Sequence, residues 1–474
     1  MHRAFNVVAI GLPTILCGCG VPEALDRGDT VAIASQALEL APNSNGFAET
    51  FHTSGTIDRT NPFFTPNGGN GRTCETCHHS DQGWTITPDA VARLFQSTKG
   101  LDLLFKPLDE GSRPDNDVST LSARRKAFTS TLLKHAVTRF PLTVPDSAEF
   151  TVIGVEDPSG FSTVTPQNLI FFRRPSPVSN EAKVAQTNWA FEPSDFGAVD
   201  VPRFLAPNAI GASAFHLQNP ALPVDLANRI REFQLGLFLA QSYDNAAGAL
   251  DVGGARGGPA YLASQTFYVG INDIQGNDPS GHPFTTKVFD IFDAWAHADA
   301  DHTLRGRAKQ QAQARASLFR GQEIFNSHAF DISGVHGLND VLHQDTIRGT
   351  CTTCHNAPNV GGHSVIRFFD TGTANAERCL SAYPIITIQN KTSGELRKLC
   401  DLGRAGAGFP PTGHWADVGA FRAPPLRGLA ARSPYFHDGQ AAEIGDVIEF
   451  YRQRFNIALT PRQRQDLANF LEAL

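Results

Sequence analysis

Two short segments constrain this chain more than any other feature: Cys74-Glu-Thr-Cys77-His78 and Cys351-Thr-Thr-Cys354-His355. Two thiols three positions apart reach the two vinyl groups of one haem, and the histidine that follows then meets the iron from one face. A redox-active dithiol is the competing reading of C-x-x-C, but it leaves a following histidine unexplained twice. Zinc is the other competitor, and these crowded residues do not offer four tetrahedral ligands locally. The pair therefore predicts two covalently attached c-type haems, with His78 and His355 as their proximal ligands.

Covalent haem of this type implies export, and the N-terminus agrees. His2 and Arg3 precede a short apolar stretch, 4–16, that is too short to span a bilayer and suits the core of a signal peptide. Leu16-Cys17-Gly18-Cys19 then resembles a lipobox, with Gly18 as the small residue before a lipid anchor at Cys19. Residues 1–18 are read as signal peptide, 19–44 as a polar tether, and the mature protein as periplasmic or anchored at the outer membrane. Four of the eight cysteines lie in the haem segments and two in the leader; the remaining pair, Cys379 and Cys400, is expected to form a disulfide in an oxidising compartment. A net charge of −7 argues against a nucleic-acid partner.

The fold is expected to be mainly α, with long irregular loops and an enlarged N-terminal half. Two cytochrome c-like domains are expected, over 45–305 and 306–474. Helices are read after Thr87-Pro88 and over 118–140, 225–241 and 308–326. Two strongly patterned helices close the chain. In them Ile444, Val447, Ile448 and Tyr451, then Leu467, Phe470, Leu471 and Leu474, repeat at helical spacing. Residues 141–225 read as irregular and rich in proline, with short strands such as Phe150 to Val155, and 242–285 as loop. The halves form a loose repeat. Each has a C-x-x-C-H near its start and a Pro-rich run, Arg-Arg-Pro-Ser-Pro-Val-Ser-Asn over 173–180 and Phe-Arg-Ala-Pro-Pro-Leu-Arg-Gly over 421–428.

Residues 413–439, with their Phe-Arg-Ala-Pro-Pro-Leu-Arg run and the Ser-Pro-Tyr-Phe-His-Asp-Gly turn, resemble the bacterial di-haem cytochrome c peroxidase and MauG superfamily. So does 317–325, ahead of the second haem segment. The resemblance is specific over roughly 310–474 and weak over 45–305. It implies two haems facing a shared interface, one reacting with peroxide and the other storing or relaying an electron, with calcium as a further cofactor. Family peroxidases usually carry a Phe-Trp-Asp-Gly-Arg segment followed by a catalytic glutamate. The nearest region here is Trp189-Ala-Phe-Glu-Pro-Ser-Asp195, which makes Glu192 and Asp195 the candidate acids.

The leading functional reading is peroxide reduction with electrons from a small redox protein. The alternatives are an oxygenase that uses dioxygen on an organic substrate, as in the related di-haem rubber oxygenases, and a non-enzymatic electron carrier. An open iron position separates enzyme from carrier. The chain's one methionine is Met1, so the mature protein has no thioether for a His/Met haem. Among the histidines near the Pro-rich runs, His216, His414 and His437 stand out. The distal ligand of the second haem is expected to be His437, Tyr435 or His414, leaving the first haem open.

Overall fold

In the computed structural model, residues 39–106, 116–158, 164–408 and 410–474 are described. The signal peptide, the lipobox with Cys19 and most of the expected tether lie outside them. The last part of that tether, Leu40–Asn43, is a strand paired with Gly46–His52.

The helices form where their caps and apolar spacing dictate. Helix α1, Pro88–Thr98, starts after an extended Thr87 with Pro88 in its first turn, and it buries Val91 and Phe95. Helix α2, Leu121–Phe128, is capped by Thr120. Helix α3, Val201–His216, is capped by the Asp200 carboxylate. It was hidden in a stretch read as irregular because Pro202 and Pro207 lie in it; the first sits in the opening turn, where a missing N–H costs nothing. Helices α4, Val224–Leu235, and α5, Pro259–Ser264, precede the long α6, Gly306–Ser327. Helices α7, Ile444–Arg454, and α8, Pro461–Glu472, close the chain, the last with the capping box of Thr460 and Gln463. Gly321 of α6 allows close approach to α8: a Cβ there would lie 2.0 Å from the Asp466 carbonyl. The Asp466 carboxylate accepts hydrogen bonds from Arg320 and Ser317 of α6 at 2.6–2.9 Å.

The expectation of a mainly α protein is overturned, since only 33% of the described residues are helix and 17% are strand. Residues 118–140 are not one helix: α2 ends at Phe128, a π turn follows over Thr129–Leu133, and Thr138–Leu142 is a strand. Likewise 225–241 splits into α4 and the strand Leu237–Asp244. That strand pairs with Gly46–His52 in a four-stranded antiparallel sheet. Thr138–Leu142 pairs with Leu169–Arg173, all five of whose residues are buried. A short apolar run of this kind, with Phe171 and Phe172 at its centre, carries no period that distinguishes strand from buried coil; its partner strand decides.

A three-stranded sheet crosses the boundary expected near residue 305, because Phe150–Glu156 pairs with Ile385–Asn390, and that strand pairs with Leu396–Leu399. The Cys379–Cys400 disulfide closes the segment that contains this hairpin, spanning 21 residues. Closing a loop of that length contributes about 3 kcal/mol in the chain-entropy description. Replacing both cysteines by serine is therefore expected to lower unfolding free energy by about that amount. Denaturant titration checks this; unchanged stability would contradict it.

Candidate functional site

Each C-x-x-C-H begins with a single 3-10 turn, Cys74–Thr76 and Cys351–Thr353. The residue before each turn is an extended threonine, Thr73 or Thr350, whose N–H donates to the hydroxyl of Thr76 or Thr353 at 3.1 and 3.0 Å. The two turns are built alike, so the thiols and the histidine emerge in the same geometry at both places.

His78 Nδ1 lies 3.1 Å from the Trp84 carbonyl, and His355 Nδ1 is bonded to the Gly361 carbonyl. A carbonyl only accepts, so Nδ1 must carry the hydrogen in each ring and Nε2 presents its lone pair. Burial holds both imidazoles in the neutral form and lowers His78 to about 4. Burial pushes the Cys74, Cys351 and Cys354 thiols up to about 12. A redox-active dithiol or a thiolate metal site needs the opposite shift. Among the described residues, no three of His, Cys, Asp or Glu cluster to hold a metal ion.

Each segment lines a cavity of about 240 Å³ with mostly apolar walls. The first cavity holds Cys74, Cys77 and His78 on its wall, and the second Cys351, Cys354 and His355. Arg174, Pro175, Pro177 and Trp189 line both, so one thin wall separates them. Trp189 is fixed in that wall by its indole N–H, which donates to the Arg174 carbonyl at 2.8 Å, and by its own carbonyl, which accepts from Arg422 N at 3.0 Å. Arg174 donates to the carbonyls of Ile86, Arg432, Ser433 and Pro434, while its buried Nε has no partner among the described residues. Two paired thiols, a histidine with its lone pair free, apolar walls and buried arginine donors are the donor set that a covalent haem requires.

The structure places the other expected site residues as follows. His437 is buried on the second cavity's wall, stacked on Phe421 at 4.0 Å, with Nε2 3.9 Å from Asp401. Tyr435 lines the same cavity and its hydroxyl donates to the Leu429 carbonyl at 3.2 Å; burial raises its pKa. His414 is exposed beside Glu149, 3.3 Å away, and lines neither cavity. His216, the last residue of α3, lines the first cavity.

Glu192 and Asp195 also line neither cavity. Both carboxylates are taken by Arg404, whose side chain is 6% exposed, with Glu192 Oε1 and Asp195 Oδ1 each 2.9 Å from Arg404 Nη2. A buried guanidinium needs this compensation, so these two acids hold the loop together instead of facing the chemistry.

The carboxylate that does line the first cavity is Glu181, which reading the sequence missed. Asn180 sets its direction. Its backbone is left-handed (φ 67°), and its side chain clamps both the N–H and the carbonyl of Leu239 at 2.9 and 3.1 Å. The next residue, Glu181, then turns inward and is 3% exposed. Thr187 donates to Glu181 Oε1 at 2.9 Å, and Oε2 is buried without a partner among the described residues. Burial pushes the carboxyl up from 4.5 to about 7, against the pull of Arg422. The only sequence signal is a glutamate directly after the first Pro-rich run.

Between pH 4.5 and about 7 the folded chain thus binds a proton at Glu181 that the unfolded chain has released. Stability falls as pH rises through that window, by on the order of 3 kcal/mol. Glu181→Gln is expected to remove this slope and to be more stable than the wild type at pH 8. Urea denaturation at pH 5 and 8 checks it; a stability difference that does not grow with pH refutes it.

No family model matches the chain. Among curated proteins, the chain is 29% identical over 125 residues to a cytochrome c551 peroxidase of Pseudomonas aeruginosa, covering 26% of this chain and 30% of that protein. It is 30% identical over 142 residues to the cytochrome-c peroxidase IdrP2 of Denitromonas iodatirespirans, covering 27% and 37%. The match thus spans about a third of the length of these relatives. A crystal structure of a variant of the diheme peroxidase BthA from Burkholderia thailandensis aligns over 86% of this chain and 83% of that one, at 15% identity and a TM-score of 0.29. Over about a quarter of its length the chain is thus similar to proteins named cytochrome c peroxidases.

Proposed function

We propose that this protein reduces hydrogen peroxide with electrons relayed between two covalent haems. The observation that carries the reading is the shared wall: two cavities, each with its own C-x-x-C-H, separated by Arg174, Pro175, Pro177 and Trp189. Cys74 and Cys77 would hold one haem with His78 on its iron, and Cys351, Cys354 and His355 would hold the other. Haem supplies an iron that binds peroxide and exchanges single electrons. The chain's own residues fix the two imidazoles through the Trp84 and Gly361 carbonyls, so that each Nε2 would be free to hold an iron, line both cavities with mostly apolar walls, and place the Trp189 indole in the wall between the cavities. In the balanced reaction H2O2, two electrons and two protons give two waters, with a small redox protein as the donor. The exported location, the lipid anchor at Cys19, calcium and the division at 305/306 belong to the same proposal.

On this reading the first haem is the reactive one, and His437 or Tyr435 closes the second. No described residue 39–474 is a methionine, so the second haem would have a lower potential than a His/Met centre. Near-infrared magnetic circular dichroism of the ferric protein distinguishes the ligand sets. A second-haem signal unchanged in both Tyr435→Phe and His437→Ala rejects this ligation. The activity is tested by stopped-flow mixing of the reduced holoprotein with peroxide and, separately, with dioxygen. Rapid oxidation by peroxide is expected. Response to dioxygen alone would favour the oxygenase, and response to neither would leave an electron carrier.

A further inference from the structure

We infer that Arg174 and Arg432 are positioning residues whose buried charges raise the midpoint potential of the haem held at Cys351 and Cys354. This deepens the proposed function; it rests on the two covalent haems and not on peroxide. The observation is an imbalance of charge on one wall. Arg174, Arg422 and Arg432 line the second cavity, each 6% exposed, and no Asp or Glu lines it. Arg432 donates to the carbonyls of Pro425, Arg427 and Gly428 at 2.6–3.1 Å, and Arg174 to those of Ile86, Arg432, Ser433 and Pro434. Among the described residues, every acceptor of these two guanidinium groups is thus a backbone carbonyl. They also repel each other, since Arg174 is bonded to the Arg432 backbone. Arg422 differs, because Glu181 faces it electrostatically. Behind the second wall, Asp401 is occupied by Arg173, and Asp438 accepts two hydrogen bonds from Gln440. The first cavity carries its own counter-charge: Arg173 is paired with Asp401, Arg72 is bonded to the Leu103 and Lys106 carbonyls, and Glu181 adds a carboxyl.

Two buried guanidinium groups without a carboxylate are costly, and carbonyl acceptors offset only part of that cost. Such a wall favours any occupant that gains negative charge. Reduction of ferric to ferrous iron adds one electron and lowers the charge on the iron by one unit, so positive charge nearby favours the reduced form. Both haems would bring the same propionate carboxylates, so a difference between the two sites comes from the protein around them. No residue of 39–474 is a methionine, and the arginines offset part of what the missing thioether withholds from the second haem. The electron comes from the small redox protein and is kept at the second site until the first site uses it. At an effective dielectric of about 20, a unit charge acting over roughly 12 Å changes an equilibrium constant about tenfold. For one electron that is about 59 mV.

Spectroelectrochemical titration of the holoprotein, with both haems attached, measures the two midpoint potentials in each variant. Arg432→Met and Arg432→Gln remove the charge in two shapes, and Arg432→Lys keeps it. Both neutral variants should lower the second haem's reduction equilibrium about tenfold and leave the first within about threefold of wild type. Arg432→Lys should hold both haems within about threefold. Arg174→Gln should lower both potentials, since Arg174 lines both cavities. Near-infrared magnetic circular dichroism should show unchanged ligation in every variant, which separates an effect of charge from a lost ligand. A second potential that stays within about threefold in both neutral variants overturns the inference. So does a lysine variant as low as the neutral ones, or an equal shift of both haems in the Arg432 variants, each of which points to a structural role. If the neutral variants do not keep the second haem, the lysine variant decides: haem retained at the wild-type potential supports the charge, and loss of haem there too overturns it. Peroxide plays no part in these readings. A wild type that ignores peroxide therefore fails the peroxidase reading alone, whereas a wild type without haem at Cys351 and Cys354 fails both.

Discussion

Asp401→Ala is expected to destabilise the folded chain by about 3–5 kcal/mol, because it strands a buried guanidinium. Arg173 donates through Nε and Nη2 to the two Asp401 oxygens at 2.7 Å each, and the side chains are only 7% and 1% exposed. The pair lies between the cavities: Arg173 lines the first, and Asp401 faces His437 of the second at 3.9 Å. Removing the carboxylate leaves the Arg173 charge with one weaker acceptor, the Gly403 carbonyl at 3.3 Å. Guanidinium titration of the holoprotein measures the loss. The double variant Arg173→Met, Asp401→Leu should recover much of it, since replacing both charges by apolar groups removes the desolvation penalty as well. A single variant as stable as the wild type would show that the pair contributes nothing.

Phe470→Ala should cost a comparable 3–5 kcal/mol, for a different reason. Phe470 is fully buried in α8, with ring centroids 5.4, 6.2 and 5.9 Å from Phe289, Phe292 and Phe325. Truncation leaves a cavity that Gly321, which has no side chain, cannot fill. Phe325 in turn lies 6.2 Å from the His355 ring, so the loss reaches the second site. Phe470→Leu should cost less than half as much. Denaturant titration gives the energies, and the ferric spectrum of the second haem reports the packing change behind His355. Equal stability of the alanine and wild-type proteins would contradict the packing argument.

The contrast between these two residues shows what was legible in advance. Phe470 belongs to a helical repeat with Leu467, Leu471 and Leu474, and its core position follows from spacing alone. Asp401 has no such period. It follows Cys400 in a loop, and its partner lies 228 residues away.

The same division runs through the candidate site. Both C-x-x-C-H segments, the capped helices α1, α7 and α8, and the pairing of Cys379 with Cys400 depend on residues close in sequence or on simple counting of cysteines. Local geometry is written in local sequence, so the chain alone determined them. The strands could not be read in this way. Leu169–Arg173 and Ile385–Asn390 become strands because distant segments supply their hydrogen-bond partners, and the balance of helix and strand shifted accordingly.

Nor could sequence rank the acids in one short stretch. Glu181, Glu192 and Asp195 lie within fifteen residues of each other, and any of them could have faced the first cavity. Arg404 claims the last two, and the left-handed turn at Asn180, clamped to Leu239, points the first inward. The chain by itself determined where the two C-x-x-C-H turns lie. Tertiary structure decided which carboxylate faces the cavity beside the first, because a buried charge goes where a distant partner or an enclosed wall accepts it.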